Sequence, residues 1–143
     1  MLEDPGFLGQ ARDLLIAYAL AIPIGWDRER EDRSAGLRTF PLVALASCGF
    51  MQAAEPLITG EAGATARIME GLITGIGFIG GGAIIRSGQK VHGTATAAGL
   101  WVTGAIGVAA ALHSYTVAIV LSVATVATLR GLQALKYDRD ESQ

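Results

Sequence analysis

From Val91 to Leu129 the chain carries no Asp, Glu, Lys or Arg. A helix crosses a bilayer with about 20 mostly apolar residues, at ~1.5 Å each over ~30 Å of hydrocarbon, so this run holds enough for two spans. His113 and Ser114, near its middle, are the place for a turn, which predicts spans at about Thr94–Leu112 and Tyr115–Leu129. Upstream, the uncharged stretch Leu14–Trp26 is too short alone and must reach back past Arg12 and Asp13 towards Phe7, with a kink expected at Pro23. Phe40–Ala54, closed by Glu55 and Pro56, and Gly71–Ile85, closed by Arg86, supply two more. The pattern predicts an all-α, polytopic membrane helix bundle of about five transmembrane helices over residues 1–132, then a short charged tail, 133–143.

Composition agrees. The chain is 51% apolar and 17% charged, against about 25% charged in an average globular protein. Its 19 glycines would weaken soluble helices, but in membranes small residues let backbones approach closely. The net charge of -2 comes with no basic patch interleaved with aromatics, so no nucleic-acid partner is expected. Cys48 lies in an apolar stretch and reads as a buried, inert thiol. Met1 to Gly9 lacks a basic segment, so no cleavable signal is expected.

Five spans place the termini on opposite sides of the membrane. With the N-terminus outside, the cytoplasmic segments hold nine basic residues, Arg28, Arg30, Arg33, Arg38, Arg86, Lys90, Arg130, Lys136 and Arg139, and the outer segments only Arg12 and Arg67. The positive-inside rule therefore predicts a cytoplasmic C-terminus. A four-span reading would scatter the same charges over both faces.

Three segments could carry chemistry. In Gly25-Trp26-Asp27-Arg28-Glu29, followed by Ala35-Gly36-Leu37-Arg38-Thr39, charges begin abruptly at the end of the first span. If the helix continues, Asp27 with Glu31 and Glu29 with Arg33 are neighbours one turn apart. Two readings stay open: a solvated loop with snorkelling arginines, or an ion or proton site of carboxylates paired with Arg28 or Arg38. The second segment, Gly71 to Gly82, contains a formal G-x-G-x-x-G at Gly75, Gly77 and Gly80, but no acidic residue follows before Asp138, so a dinucleotide site is rejected and no cofactor is expected. Gly71, Gly75, Gly77 and Gly81 read instead as small faces for close helix packing, and Gly80-Gly81-Gly82 as a candidate helix break beside a cavity. The third runs from His92 through Thr94, Thr96, Gly99 and Trp101 to Thr103, with hydroxyls suited to interhelical hydrogen bonds and a Trp expected to pack within the bundle. Glu55 and Glu70, near the outer ends of the second and third spans, read as water-facing edges or as a vestibule for cations.

Together these segments resemble the membrane domain of the MgtC/SapB family of bacterial inner-membrane proteins. The resemblance covers about Leu14 to Leu129 and rests on Gly25 to Glu29, Ala35 to Thr39, Gly75-Ile76-Gly77-Phe78-Ile79-Gly80, and Gly93-Thr94-Ala95-Thr96-Ala97-Ala98 through Trp101, in that order. It implies a five-helix membrane domain, a link to magnesium homeostasis and low-magnesium survival, and, for the family's namesake, inhibition of the F-type ATP synthase. By resemblance, the functional positions would be Asp27, Arg28, Glu29, Arg38, Thr39 and the glycines of Gly75 to Gly82. Trp26 and Pro41 depart from the aliphatic or small residues of many members, and the tail holds no counterpart of their C-terminal ACT-like domain.

No His/Asp/Glu set has metal-ligand spacing and no Ser/His pair stands out, so an enzyme is not expected. The expectation is a non-enzymatic membrane regulator in the lipid bilayer that binds itself as a homo-oligomer or another membrane complex. A small Mg2+ or H+ transporter or channel is the alternative, since carboxylates in a wet vestibule suit a hard cation.

Overall fold

A computed structural model describes the backbone of residues 5–31, 35–58 and 62–140. Five helices and one hairpin follow one another: α1 (Pro5–Arg30), α2 (Thr39–Ile58), α3 (Ala62–Gly82), β1 (Ile85–Ser87), β2 (Lys90–His92), α4 (Thr94–Ala111) and α5 (Tyr115–Asp140). The chain is an all-α bundle. By length and composition α1 and α4 can cross a membrane, while the apolar part of α5, Tyr115–Gly131, is shorter.

Each expected span has its helix, with shifted ends. α1 runs unbroken through Pro23 and carries Asp27, Arg28 and Glu29 on its last turn. α2 continues through Glu55 and Pro56, since a proline near a helix end forfeits only one bond of the ladder. α3 starts nine residues before Gly71, taking in Arg67 and Glu70, and ends at Gly82, so the three glycines terminate the helix instead of breaking it. Ile85 falls in a strand that the hydrophobic pattern did not predict. β1 pairs antiparallel with β2, Ile85 opposite His92 and Ser87 opposite Lys90, around a two-residue turn that Gly88 opens at φ 62°. Gly93 follows at φ 89°, and a Cβ there would strike the Ala83 carbonyl, so this tight return needs glycine. α5 stays helical through the expected tail to Asp140.

The turn between α4 and α5 falls where expected. His113 takes a left-handed φ of 57°, its N–H donates to Ala110 O and the Ser114 N–H to Ala109 O. This is a Schellman closure with histidine in the place usually held by glycine.

α4 is the centre of the bundle and packs against each of the other four helices. Its small residues allow this. The Phe40 ring lies 3.1 Å from where a Gly99 Cβ would sit, Ile76 fills the space beside Gly104, and the Ala44 carbonyl abuts Gly107. Without water to expel, such close van der Waals packing is the main force between helices in lipid. Ile24, Phe40, Ile76, Leu100 and Ile106 form one cluster, and Ala17, Ala21, Ala44, Cys48 and Ala110 another. The outside is apolar: Phe78 is 85% exposed and Leu57 81%. A soluble monomer rarely shows apolar patches beyond a few hundred Å²; lipid is the solvent that suits this surface.

α1 and α5 run parallel. Asp13 meets Tyr115, Leu20 meets Ser122 and Asp27 meets Arg130, rising together along both helices. Parallel first and last helices are what an odd number of crossings requires. One end of the bundle gathers the C-terminus of α1, which touches Gly36 and Leu37 at Gly25, the N-termini of α2 and α4, and the C-terminus of α3, where Gly80 meets Ala97.

Candidate functional site

Two carboxylates are buried on α1, one near each end of the bundle: Asp13, 2% exposed, and Asp27, 7% exposed. Ionised groups at such depth are costly unless paired and hydrogen-bonded. Both are.

At the loop-rich end, Asp27 Oδ2 accepts from Arg28, whose Nε lies at 3.1 Å and whose Nη2 is closer still. Consecutive helix residues do not face each other, so the Arg28 side chain must fold back along the helix to do this. Oδ1 accepts from Arg130 Nε of α5 at 3.0 Å. Arg28 is itself buried, while Arg130 is half exposed. One carboxylate between two guanidiniums leaves surplus positive charge, so the cluster is a poor ligand for a cation. Glu29 plays a different part. Its Oε2 accepts the Leu37 N–H at 3.0 Å, and a Cβ on Gly36 would collide with that oxygen. Gly36 in turn accepts from the Thr39 and Phe40 N–H groups at 3.0 and 3.1 Å, starting α2. The Ala35-Gly36-Leu37 stretch is thus pinned to α1. Arg38 is exposed and Thr39 half-buried, and neither joins the Asp27 cluster. Arg33 lies outside the described residues.

At the opposite end, Asp13 Oδ1 accepts from the Tyr115 hydroxyl at 2.6 Å and from Arg12 Nε and Nη2 at 3.1 and 3.0 Å. His113 Nε2 stands 3.1 Å from Oδ2, and the Arg12 guanidinium lies 5.4 Å from the Tyr115 ring centre. Midway, the Ser122 hydroxyl donates to Leu20 O at 2.7 Å. Sequence reasoning missed Asp13, His113, Tyr115, Ser122 and Arg130 as partners. Asp13, Leu20 and Asp27 recur every seven residues, as do Tyr115 and Ser122, a spacing that puts each set on one helix face. That recurrence, with an acid inside an expected span, was the available signal.

The glycines of α3 divide. Only Gly80 packs against another helix; at Gly71, Gly75, Gly77, Gly81 and Gly82 a Cβ would meet nothing. Nor do they share a face, because six residues from Gly71 to Gly77 turn the helix by about 240° beyond a full turn. Gly71 and Gly75 line a groove towards α2, and Gly77 and Gly81 are exposed on another face. On α4, Thr94 is exposed, Thr96 and Gly99 are buried, and the Thr103 hydroxyl bonds Gly99 O in its own helix at 2.8 Å. Trp101 is half exposed and lines a second apolar groove with Ile73, instead of packing inside. Among the described residues no three of His, Cys, Asp and Glu gather as metal ligands.

The MgtC family model matches residues 14–137. Protein SrpB of Synechococcus elongatus is 34% identical over 147 aligned residues, covering 94% of this chain and 81% of that protein. Protein MgtC of Brucella abortus is 38% identical over 125 residues, 85% of this chain and 52% of that protein, and Protein MgtC of Salmonella typhimurium 37% over 111 residues, 78% and 47%. The chain spans about half the length of these two MgtC proteins. No solved structure matches.

Proposed function

The chain belongs to the MgtC family, and from that premise we propose that it is a non-enzymatic regulator in the bacterial inner membrane, acting by docking a helix face against another membrane complex or a second copy. The observation that carries this reading is the outer face of α3, where Gly77 and Gly81 stand one turn apart with open space at both Cβ positions. Such a pair lets a partner helix approach backbone to backbone. The link to low-magnesium survival, and the F-type ATP synthase as a partner, come from the family resemblance. The N-terminus lies outside and the C-terminus in the cytoplasm, a reading supported by the positive-inside rule and by Arg28, Arg38, Arg86, Lys90 and Arg130 at one end of the bundle.

The alternative, a small Mg2+ or H+ transporter, draws on Asp13 and Asp27, two acids buried on one helix. Against it stands their occupancy: each is already held by arginine and a residue of α5. Affinity purification of the tagged full chain from native membranes tests the regulator. A co-purifying membrane complex or oligomer, lost in Gly77→Leu and Gly81→Leu, is expected. Isolation of a lone chain, together with Mg2+ or H+ flux in vesicles reconstituted with it, would favour the transporter.

A further inference from the structure

We propose that the groove between α2 and α3 is a binding site for an anionic phospholipid, its acyl chain along the groove and its headgroup at the basic end of the bundle. The groove has a volume of about 760 Å³ and runs from Thr39 to Leu57 on α2 and from Ile68 to Ile79 on α3. It exists because α3 leans on α4 and stands off from α2, and because Gly71 and Gly75 put no side chain into the gap. Its length along α2 is about 27 Å at 1.5 Å per residue, close to the ~30 Å of bilayer hydrocarbon. Its walls are apolar, so hydrocarbon fills it at no desolvation cost.

Charge selects the lipid. Arg38 adjoins Thr39 at one mouth and is exposed; the hairpin after α3 brings Arg86 and Lys90, also exposed, to the same end of the bundle. Among the described residues, Asp27 is engaged by two arginines and Glu29 is held back against the Leu37 N–H. A positive mouth above an apolar floor matches a headgroup phosphate joined to an acyl chain. A second copy docked groove to groove, oriented alike in the membrane, would set its own Arg38 against this one.

Native mass spectrometry of the full chain, delipidated in detergent and then offered dioleoyl phosphatidylglycerol or phosphatidylcholine, tests the site. The expected result is one retained phosphatidylglycerol per chain, with Arg38→Gln lowering the preference over phosphatidylcholine roughly fivefold, the effect of one basic residue at a membrane surface. Gly75→Leu should abolish retention of both lipids with helical circular dichroism unchanged, and Leu42→Trp fills the groove from α2 should that variant fail to fold. Equal retention of the two lipids by the wild type, undiminished retention in both filled variants, displacement of the lipid by inorganic phosphate, or a dimer that retains no lipid and is lost in the filled variants would overturn the proposal.

Discussion

The Tyr115 hydroxyl donates a 2.6 Å hydrogen bond to Asp13, across 102 residues of sequence, and so ties the start of the last helix to the first. The carboxylate is 2% exposed, so loss of this donor is not made good by water. Hydrogen bonds to charged groups contribute about 1.5–3 kcal/mol. Tyr115→Phe should lower stability by that amount in a detergent unfolding titration, and an unchanged midpoint would show that Arg12 and His113 alone satisfy Asp13.

At the other end the pairing has a sharper consequence. Asp27→Ala strands a buried guanidinium, Arg28, without its counter-charge. Breaking such a pair costs about 3–5 kcal/mol, whereas replacing both partners by apolar groups is often nearly neutral. Asp27→Ala should therefore destabilise strongly and Asp27→Leu with Arg28→Met much less. Equal losses in chemical denaturation would mean that Arg28 finds water or lipid phosphate when freed.

The left-handed φ of His113 separates two variants that both lose the contact with Asp13. His113→Ala keeps a Cβ in a strained conformation, and His113→Gly relieves it. The glycine variant should be the more stable by about 1 kcal/mol, read from paired thermal unfolding curves. Equal stabilities would indicate that the turn relaxes.

Glycines of two kinds should respond oppositely. A Cβ at Gly107 meets the Ala44 carbonyl, a backbone atom that cannot swing aside, while Gly77 faces open space. Gly107→Ala should cost about 1–3 kcal/mol from overpacking, and Gly77→Ala in the detergent-solubilised monomer should be neutral or gain up to ~1 kcal/mol of helix propensity. Unfolding of the two variants side by side checks the contrast.

The five helices and the α4–α5 turn were legible because apolar length and the absence of charge mark a span directly. The hairpin at Ile85 to His92 was not, since Ile84 and Ile85 extend the apolar pattern of α3 and only the Ala83–Gly93 approach forces the chain back. Pairing of a carboxylate with Arg28 was among the readings the charge cluster offered, although neighbours on a helix do not face each other. Arg130 and Tyr115 did not stand out, because which face of α5 turns to α1 is set by packing between helices more than a hundred residues apart, and only the seven-residue recurrence marks it. Trp101 was expected inside by its depth in the span, yet on a helix whose glycines press against α1, α2 and α3 the large ring has room only outside.

The most direct measurement is site-specific photo-crosslinking in native membranes, with a benzophenone amino acid in place of Phe78, which is 85% exposed beside the glycine face and leaves Gly77 and Gly81 intact, and, as a lipid-facing comparison, at position 15, where Leu15 is 68% exposed. Docking through the open face of α3 predicts protein adducts from position 78, to a second copy or to another membrane complex, and few from position 15. Lipid adducts alone from both positions would contradict it.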